Sequence, residues 1–475
     1  MKRRAGDTRG MMETKKPTFY RRFANSLKDR TNDIQRAFRE FLAFPTLIIL
    51  IFILLAAATY LVERNQYQIP SPIFVFFRTR IFVDAEATSN LLGNIAGSII
   101  TVTSITITLL LLIVQQSASN LTTQVFDQFL RRRSNQFYFG YFIGAAVFTL
   151  LTLATVDEPF NPVFSASLVF FFTIIALFLL MVLFYATIHQ MRPPVILGAI
   201  HDHALAARGS QRKLISRTRR QSLSLAPHSL EVRYDHHGFV TRIDLDELED
   251  VLKFFPAVNE IILTVSVGNF VAYQSRVAEI KLLEEGEFNG LMEHVRGAIE
   301  LERSRDIVTD AAYAVTQLEQ IAWTVLSPSK SNLSPGLQVI HLLRDLLSRW
   351  AEDARETVEA EVLPIVYNDD VIGNLIHAYE SLPVIAMQSR EHQVISVMLE
   401  SISSVYPQLP DDWRDLVESA LLRLLPTLDA HLLTSGLEQA LDKIIKTLKD
   451  DEREETAARF EDFLARKQEN PAPTI

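Results

Sequence analysis

The chain has 475 residues, room for roughly three domains at about 150 residues each, and its apolar residues concentrate before about residue 190. Net charge is −9 although the first forty residues are basic, so the acidic excess lies in the C-terminal half, which argues against general nucleic-acid binding. There is no cysteine, which excludes disulfides, thiolate metal sites and a cysteine nucleophile and fits a reducing compartment.

Residues 1–43 read as a basic cytoplasmic tail. The basic region is too long for a secretory signal, and the first apolar run is of spanning length with no small-residue cleavage pattern after it. A membrane crossing takes about 20 apolar residues. Four stretches qualify within 44–190: Phe44–Val62, about Leu91–Gln116, about Phe137–Val156 and about Val163–His189. The piece from Ile69, "IPSPIFVFFRTRIFV", is broken by prolines and arginines and reads as an interfacial or re-entrant segment. Lys and Arg crowd the N-terminal tail, Arg131–Arg133 and the stretch Arg208–Arg220, whereas the loop between the third and fourth spans holds Asp157 and Glu158 and no basic residue. The positive-inside pattern therefore predicts both termini in the cytoplasm and a multi-pass protein of the cell (inner) membrane.

The second span, "GNIAGSIITVTSITITLLLLIVQQSASN", is unusually polar for its setting. At about 100° per residue on a helix, Gly93, Gly97, Thr101, Ser104, Thr108, Gln115 and Ser119 fall within one quadrant, with Leu111 and Leu112 in the gap. One reading is helix packing, with Gly93 and Gly97 admitting a neighbouring backbone and the hydroxyls bonding across helices or to the i−4 carbonyl. The other is a pore at an oligomer axis, with hydroxyl rings lining it and Leu111 and Leu112 forming a constriction that gates by dewetting. No Asp, Glu, Lys or Arg lies in the core of any span, which argues against active transport and leaves a passive pore or an anchor.

Prolines in "RPP", Arg192–Pro194, end the fourth span, and a basic helical connector covers 191–221. Residues 222–285 change period and read as a small β-rich module, with a turn at Asp235–Gly238, a short helix "DLDELEDVLKFF" from Asp244, and two further strands around Val267–Asn269. From Met292 the pattern is helical, giving an all-α domain over 286–467. In it "DAAYAVTQLEQIAWTVL" stops at Ser327-Pro328, and Ser334 with Pro335 is expected to start the next helix. The tail 468–475 reads as disordered.

The segments "SNLLGNIAGSIITVTSITITLLLLIVQQSASNLTTQVFDQFLRRRSNQFYFGYFIG", "GFVTRIDLDEL", "VSVGNFVAYQSRVAEI" and "IELERSRDIVTDAAYAVTQLEQIAWTVLSP" occur in that order. Over roughly residues 40–350 the chain resembles the uncharacterised bacterial membrane proteins of domain-of-unknown-function family 2254. The resemblance implies the architecture above and brings no activity. The family's acidic turn after "LSP" is here Ser329–Leu333, and its Pro-Gly-Asp before a Phe-Val pair is here Val267-Gly268-Asn269, so no role for those acids carries over. "VGNFVAYQSRVAEI" also looks like half of a biotinyl- or lipoyl-type barrel. It has no lysine at the hairpin tip to carry a cofactor, and no cofactor or metal is expected.

The remaining candidates have plain readings beside the functional ones. His236 and His237 sit side by side in a turn without metal-ligand spacing. His201 and His203 flank Asp202, where a metal or pH-sensing role competes with an ordinary helix surface. Asp306 and Asp310 with Tyr313 and Gln317 would share one helical face, either a carboxylate pair or a salt-bridged surface. Arg131, Arg132 and Arg133 serve topology and anionic lipid or a pore mouth. There is no phosphate-binding loop, nucleophile elbow or zinc-protease motif, so no enzyme is expected. The expectation is a polytopic α-helical membrane protein with four transmembrane helices, a cytoplasmic β-rich module and an all-α C-terminal domain. It would be a homo-oligomeric passive pore lined by the second span. The alternative is a membrane-anchored scaffold or sensor whose helical domain binds a protein partner.

Overall fold

The computed structural model describes residues 42–65, 75–120, 132–286, 290–328, 332–355, 361–389, 391–429 and 432–469. The expected basic tail lies outside them, as does all but the beginning of the C-terminal tail. The described residues fall into two compact units, one within 1–118 and 123–190, the other within 119–122 and 191–475.

Four helices of the first unit are long and apolar enough to cross a membrane. They are α1 (Ala43–Arg64), α2 (Ala85–Asn120), α3 (Arg133–Ala154) and α4 (Val163–Gln190). Helix α2 starts six residues earlier than hydropathy alone places it. Asp84 caps it, accepting from the Ala87 N–H at 2.7 Å, and Thr88 Oγ1 bonds back to the Asp84 carbonyl at 2.8 Å. Of the segment from Ile69, residues 75–81 are helical and end in a π-turn, Phe77–Ile81. The Phe77 ring lies 5.7 Å from Phe170 of α4 and stacks on Phe82.

Helices α1, α3 and α4 pack on one another. Their contact is built around Phe52 of α1, whose ring meets Tyr141, Phe148 and Phe172 edge-on at 5.5, 6.3 and 5.2 Å. That approach needs glycine on α3. A Cβ at Gly144 would overlap the Phe52 ring, and one at Gly140 would lie 3.0 Å from Ile48 Cδ1 and from the Pro45 backbone. The Gly-x-x-x-Gly spacing that brings two spans together is therefore Gly140–Gly144 in the third span. Tyr141 places its hydroxyl by donating to the Phe172 carbonyl at 3.0 Å. Beyond the sequence-read end of the first span, Glu63 caps α4. It accepts from the backbone N–H of Phe164 (2.6 Å) and Ser165 (3.2 Å) and from Ser165 Oγ (2.5 Å), supplying acceptors and charge at a helix N-terminus. The outer faces of α1 and α4, with Leu54, Leu61, Leu177, Phe178 and Met181 exposed, are what a helix presents to hydrocarbon.

The second unit opens with α5 (Pro193–Arg217), its prolines at the first helical positions where no N–H is missed. A β-rich layer follows: β1 (His228–Arg233), β2 (Gly238–Ile243), α6 (Leu245–Phe254), β3 (Val258–Leu263), β4 (Phe270–Val271), β5 (Arg276–Leu282), α7 (Leu291–Gly297) and β6 (Ile299–Glu302). Asp244 caps α6, accepting from the N–H groups of Asp246 and Glu247. With a later strand β7 (Ile365–Val366), the strands form two sheets, ordered β1-β5-β3-β7 and β4-β2-β6. The turn at Asp235–Gly238 therefore joins strands of different sheets and closes no hairpin. Two strands come from the stretch that reads as helical: β6 pairs with β2, and β7 (Ile365–Val366) pairs in parallel with β3, Ile261 opposite Ile365. Val232, Leu248, Ile261, Ile280, Leu291 and Val295 form the core between strands and helices.

The rest is helical: α8 (Ala311–Leu326), α9 (Leu333–Arg355), α10 (Val371–Ser389), α11 (His392–Val405), α12 (Asp411–Asp429), α13 (Ser435–Asp450) and α14 (Glu454–Glu469). Each turns an apolar stripe inward, and Trp350, Tyr406 and Phe460 are its largest fully buried side chains. Helix α9 starts at Leu333, so Ser334 lies inside its first turn and does not cap it.

A prediction follows from the two glycine pairs. Gly144→Leu overpacks the α1–α3 contact and should cost about 1–3 kcal/mol in detergent unfolding, whereas Gly97→Ala, whose Cβ meets nothing, should leave the melt unchanged.

Candidate functional site

The polar quadrant of α2 is the leading candidate, and what matters is which way it faces. Within the chain, α2 buries a narrow line of side chains: Ala85, Thr88, Leu92, Ala96, Ile99, Thr106, Leu110 and Val114. These recur at steps of three, four and seven, as one side of a helix must. The polar line lies roughly 140° around the helix from it, taking 100° per residue. Gly97, Thr101, Ser104, Thr108, Leu111, Leu112 and Gln115 are all exposed, and Gly93 is half-buried. Leu111 and Leu112 are 41% and 60% exposed, so the proposed constriction is not spent on packing within the chain. A Cβ at Gly93 or Gly97 would meet nothing within 4 Å. These glycines therefore do not seat a neighbouring span of the same chain, as the packing reading expects. Among the described residues, α2 approaches none of the other three spans as closely at the backbone as they approach one another.

The hydroxyls on this line are partly committed. Thr101 Oγ1 donates to the Gly97 carbonyl at 2.8 Å and Thr108 Oγ1 to the Ser104 carbonyl at 2.9 Å. The protons thus stay within the helix, and the oxygen lone pairs are what the face offers outward. The Ser119 side chain and Arg131 lie outside the described residues. Arg132 precedes α3 and is exposed. Arg133 opens the helix with its guanidinium 5.9 Å from the centre of the Phe44 ring, a cation–π contact that ties the starts of α3 and α1.

Several of the other sequence candidates have structural partners. His236 is exposed and pairs with the neighbouring Asp235 at 2.6 Å. Asp306 and Asp310 do not share a helical face, because α8 begins at Ala311 and Asp310 is its cap, accepting from the Tyr313 N–H at 2.9 Å. Asp310 also takes Arg305 Nε at 2.7 Å, and both side chains press on Gly268, whose φ of +93° admits no Cβ there. The Val267-Gly268-Asn269 turn is thus held by an ion pair at the start of α8, a role that spacing alone does not reveal. His201 is buried on α5, and its Nε2 donates to Asp345 Oδ2 on α9 at 2.8 Å. The same oxygen accepts from Arg349 Nε at 2.7 Å.

A family model described as predicted membrane protein, DUF2254, matches residues 39–389, more than half of the chain, and the chain belongs to that family. No curated protein and no solved structure matches it.

Burial pushes the Asp345 carboxyl up, and the hydrogen bonds from Arg349 and His201 together outweigh it, so it lies below the usual carboxylate value. A carboxylate depressed in the folded state gives stability that is complete above its unfolded value, about 4, and is lost as pH falls through the folded one. Asp345→Asn should melt below wild type at pH 7, with the two melting points converging in acid.

Proposed function

We propose that this member of the DUF2254 family assembles as a homo-oligomer in the cell (inner) membrane, termini cytoplasmic, and forms a passive pore lined by the second transmembrane helix. One observation carries the reading: the polar face of α2 is turned away from its own chain, with its two glycines uncovered. Lipid offers no partner for hydroxyl and amide groups, so such a face belongs against water or against its own copies. In the pore, Thr101, Ser104 and Thr108 present rings of oxygen lone pairs. Leu111 and Leu112 form an apolar collar that closes by excluding water. In this reading Gln115 and Ser119 form the inner mouth, and Arg131, Arg132 and Arg133 supply its basic charge. The absence of ionisable groups from the cores of the spans suits passive conduction rather than coupled transport.

The i−4 hydrogen bonds of Thr101 and Thr108 favour a second reading, in which α2 is content beside lipid and the protein is an anchored scaffold or sensor whose helical domain holds a protein partner. Ion flux across liposomes carrying the full chain separates the two. The pore reading expects an oligomer in mild detergent and a several-fold higher leak for Leu111→Ser or Leu112→Ser than for wild type. A monomer, or equal silence of wild type and both variants, leaves the anchor.

A further inference from the structure

The segment 75–83 of the first unit is fixed at its far end. Phe82 is fully buried, its carbonyl accepts from the Asn161 amide at 3.2 Å, and Asp84 shortly after it caps α2. The Phe77 ring reaches Phe170, which lies seven residues into α4, or roughly 10 Å along a helix at about 1.5 Å per residue. The short helical piece therefore lies beside the first turns of α4, on an apolar flank, and not out beyond the ends of the spans. Tyr60 and Phe160, an edge-on pair 5.8 Å apart, mark the same end of the bundle, as aromatic side chains do at the rim of a bilayer.

What this segment turns outward is of two kinds. Val75, Phe76 and Val83 are 57%, 55% and 63% exposed. Between them stand Arg78 and Arg80, both exposed. Among the described residues, no carboxylate lies within ion-pairing distance of either guanidinium and no acceptor takes their N–H groups. The acids at this end are engaged elsewhere or out of range. Glu63 holds the first N–H groups of α4, Asp84 holds that of Ala87, and Glu86 lies beyond pairing distance of both arginines. Thr79 has no proton to offer, since its hydroxyl donates back to the Val75 carbonyl at 2.8 Å. Two positions apart on a helical turn, the arginines leave on opposite flanks. They cannot converge on one anion, and each needs its own.

We propose that residues 75–83 are a docking site for anionic phospholipid, with Arg78 and Arg80 each holding one headgroup phosphate and Val75, Phe76 and Val83 lying on the glycerol and upper acyl chains. The two kinds of exposed group decide the class together. A soluble anion would answer the arginines and leave the apolar side chains in water. Hydrocarbon alone would answer the apolar side chains and strand two charges. A phospholipid meets both needs at once: its phosphate accepts from the guanidinium fork, and its chains continue the lipid that bathes the outer face of α4. An anionic head fits better than a zwitterionic one, because a choline or ethanolamine ammonium adds a positive charge beside two that nothing in the chain balances. The site stands whether or not α2 conducts.

The test uses the purified full chain in mild detergent, stripped of lipid and titrated with dioleoyl phosphatidylglycerol, dioleoyl phosphatidylcholine or glycerol phosphate. Retained lipids are counted by native mass spectrometry, with the melting temperature read alongside. Wild type should hold phosphatidylglycerol about tenfold more tightly than phosphatidylcholine, the order expected of two arginines at a lipid surface. Glycerol phosphate, which has the charge without the chains, should not displace the lipid. Arg78→Gln and Arg80→Gln should each retain one phosphatidylglycerol fewer than wild type, and the double variant two fewer. Their lipid-free melts should match wild type, since neither guanidinium has a partner among the described residues. Phe76→Ser keeps both charges and should weaken the lipid several-fold. An unchanged lipid count in the double variant, equal affinity of wild type for the two lipids, or displacement by glycerol phosphate would overturn the proposal.

Discussion

The membrane unit is organised by one steric fit, the ring of Phe52 lying where Gly144 has no side chain. Without that gap α1 and α3 could not approach, and the edge-on contacts of Phe52 with Tyr141, Phe148 and Phe172 would be lost together. Lipid tails are as apolar as leucine, so helices in a bilayer gain little by merely hiding apolar surface from one another. Close packing and buried hydrogen bonds must hold them. The first, third and fourth spans have both, the second of these in the Tyr141 hydroxyl and the Glu63 cap on α4. With those three spans satisfied by one another, the polar line of α2 is left for whatever lies outside the chain.

The second unit solves a different problem, holding charged groups in partly buried places. Asp310 pairs with Arg305 under Gly268, Asp345 with His201 and Arg349, and Asp369 with Arg208. The His201–Asp345 and Arg208–Asp369 pairs join α5 to segments well over a hundred residues away, so these charges help specify which elements meet.

The four spans, the break at the Arg192–Pro194 prolines, the short helix α6 with its acidic first turn and the stop of α8 at Ser327 can all be read from the chain, because hydropathy, helix-end charge and proline act locally. The exposure of the Thr101–Gln115 line could be posed as a question but not answered, since it depends on what the other spans cover. The two Gly-x-x-x-Gly pairs look alike in sequence. Only the partner ring of Phe52 makes Gly140 and Gly144 a contact, while nothing in the chain seats on Gly93 and Gly97. Strand β7 is two residues long and β6 four, too short for alternation to register against their helical surroundings. Asp306 and Asp310 have helical spacing, but α8 starts only after Asp310, which caps it, so Asp306 lies before the helix. The cleft lined by α5, α9, α12 and the loop before α10 was out of reach because its lining runs from Leu205 to Leu416 and no local motif marks it.

The pairing of Ile365–Val366 with β3 has a consequence for how the protein can be divided. The last rung of the larger sheet is delivered by a segment that lies beyond two helices of the α-helical region, and Arg219, just past α5, bridges to the same short strand. A fragment cut at the apparent border near residue 286 would strip one flank from β3 and leave its amides and carbonyls open to any extended stranger. The second unit therefore behaves as a single garment, woven across its seam, and insolubility of the separated pieces would reflect a torn hem rather than an unstable fold.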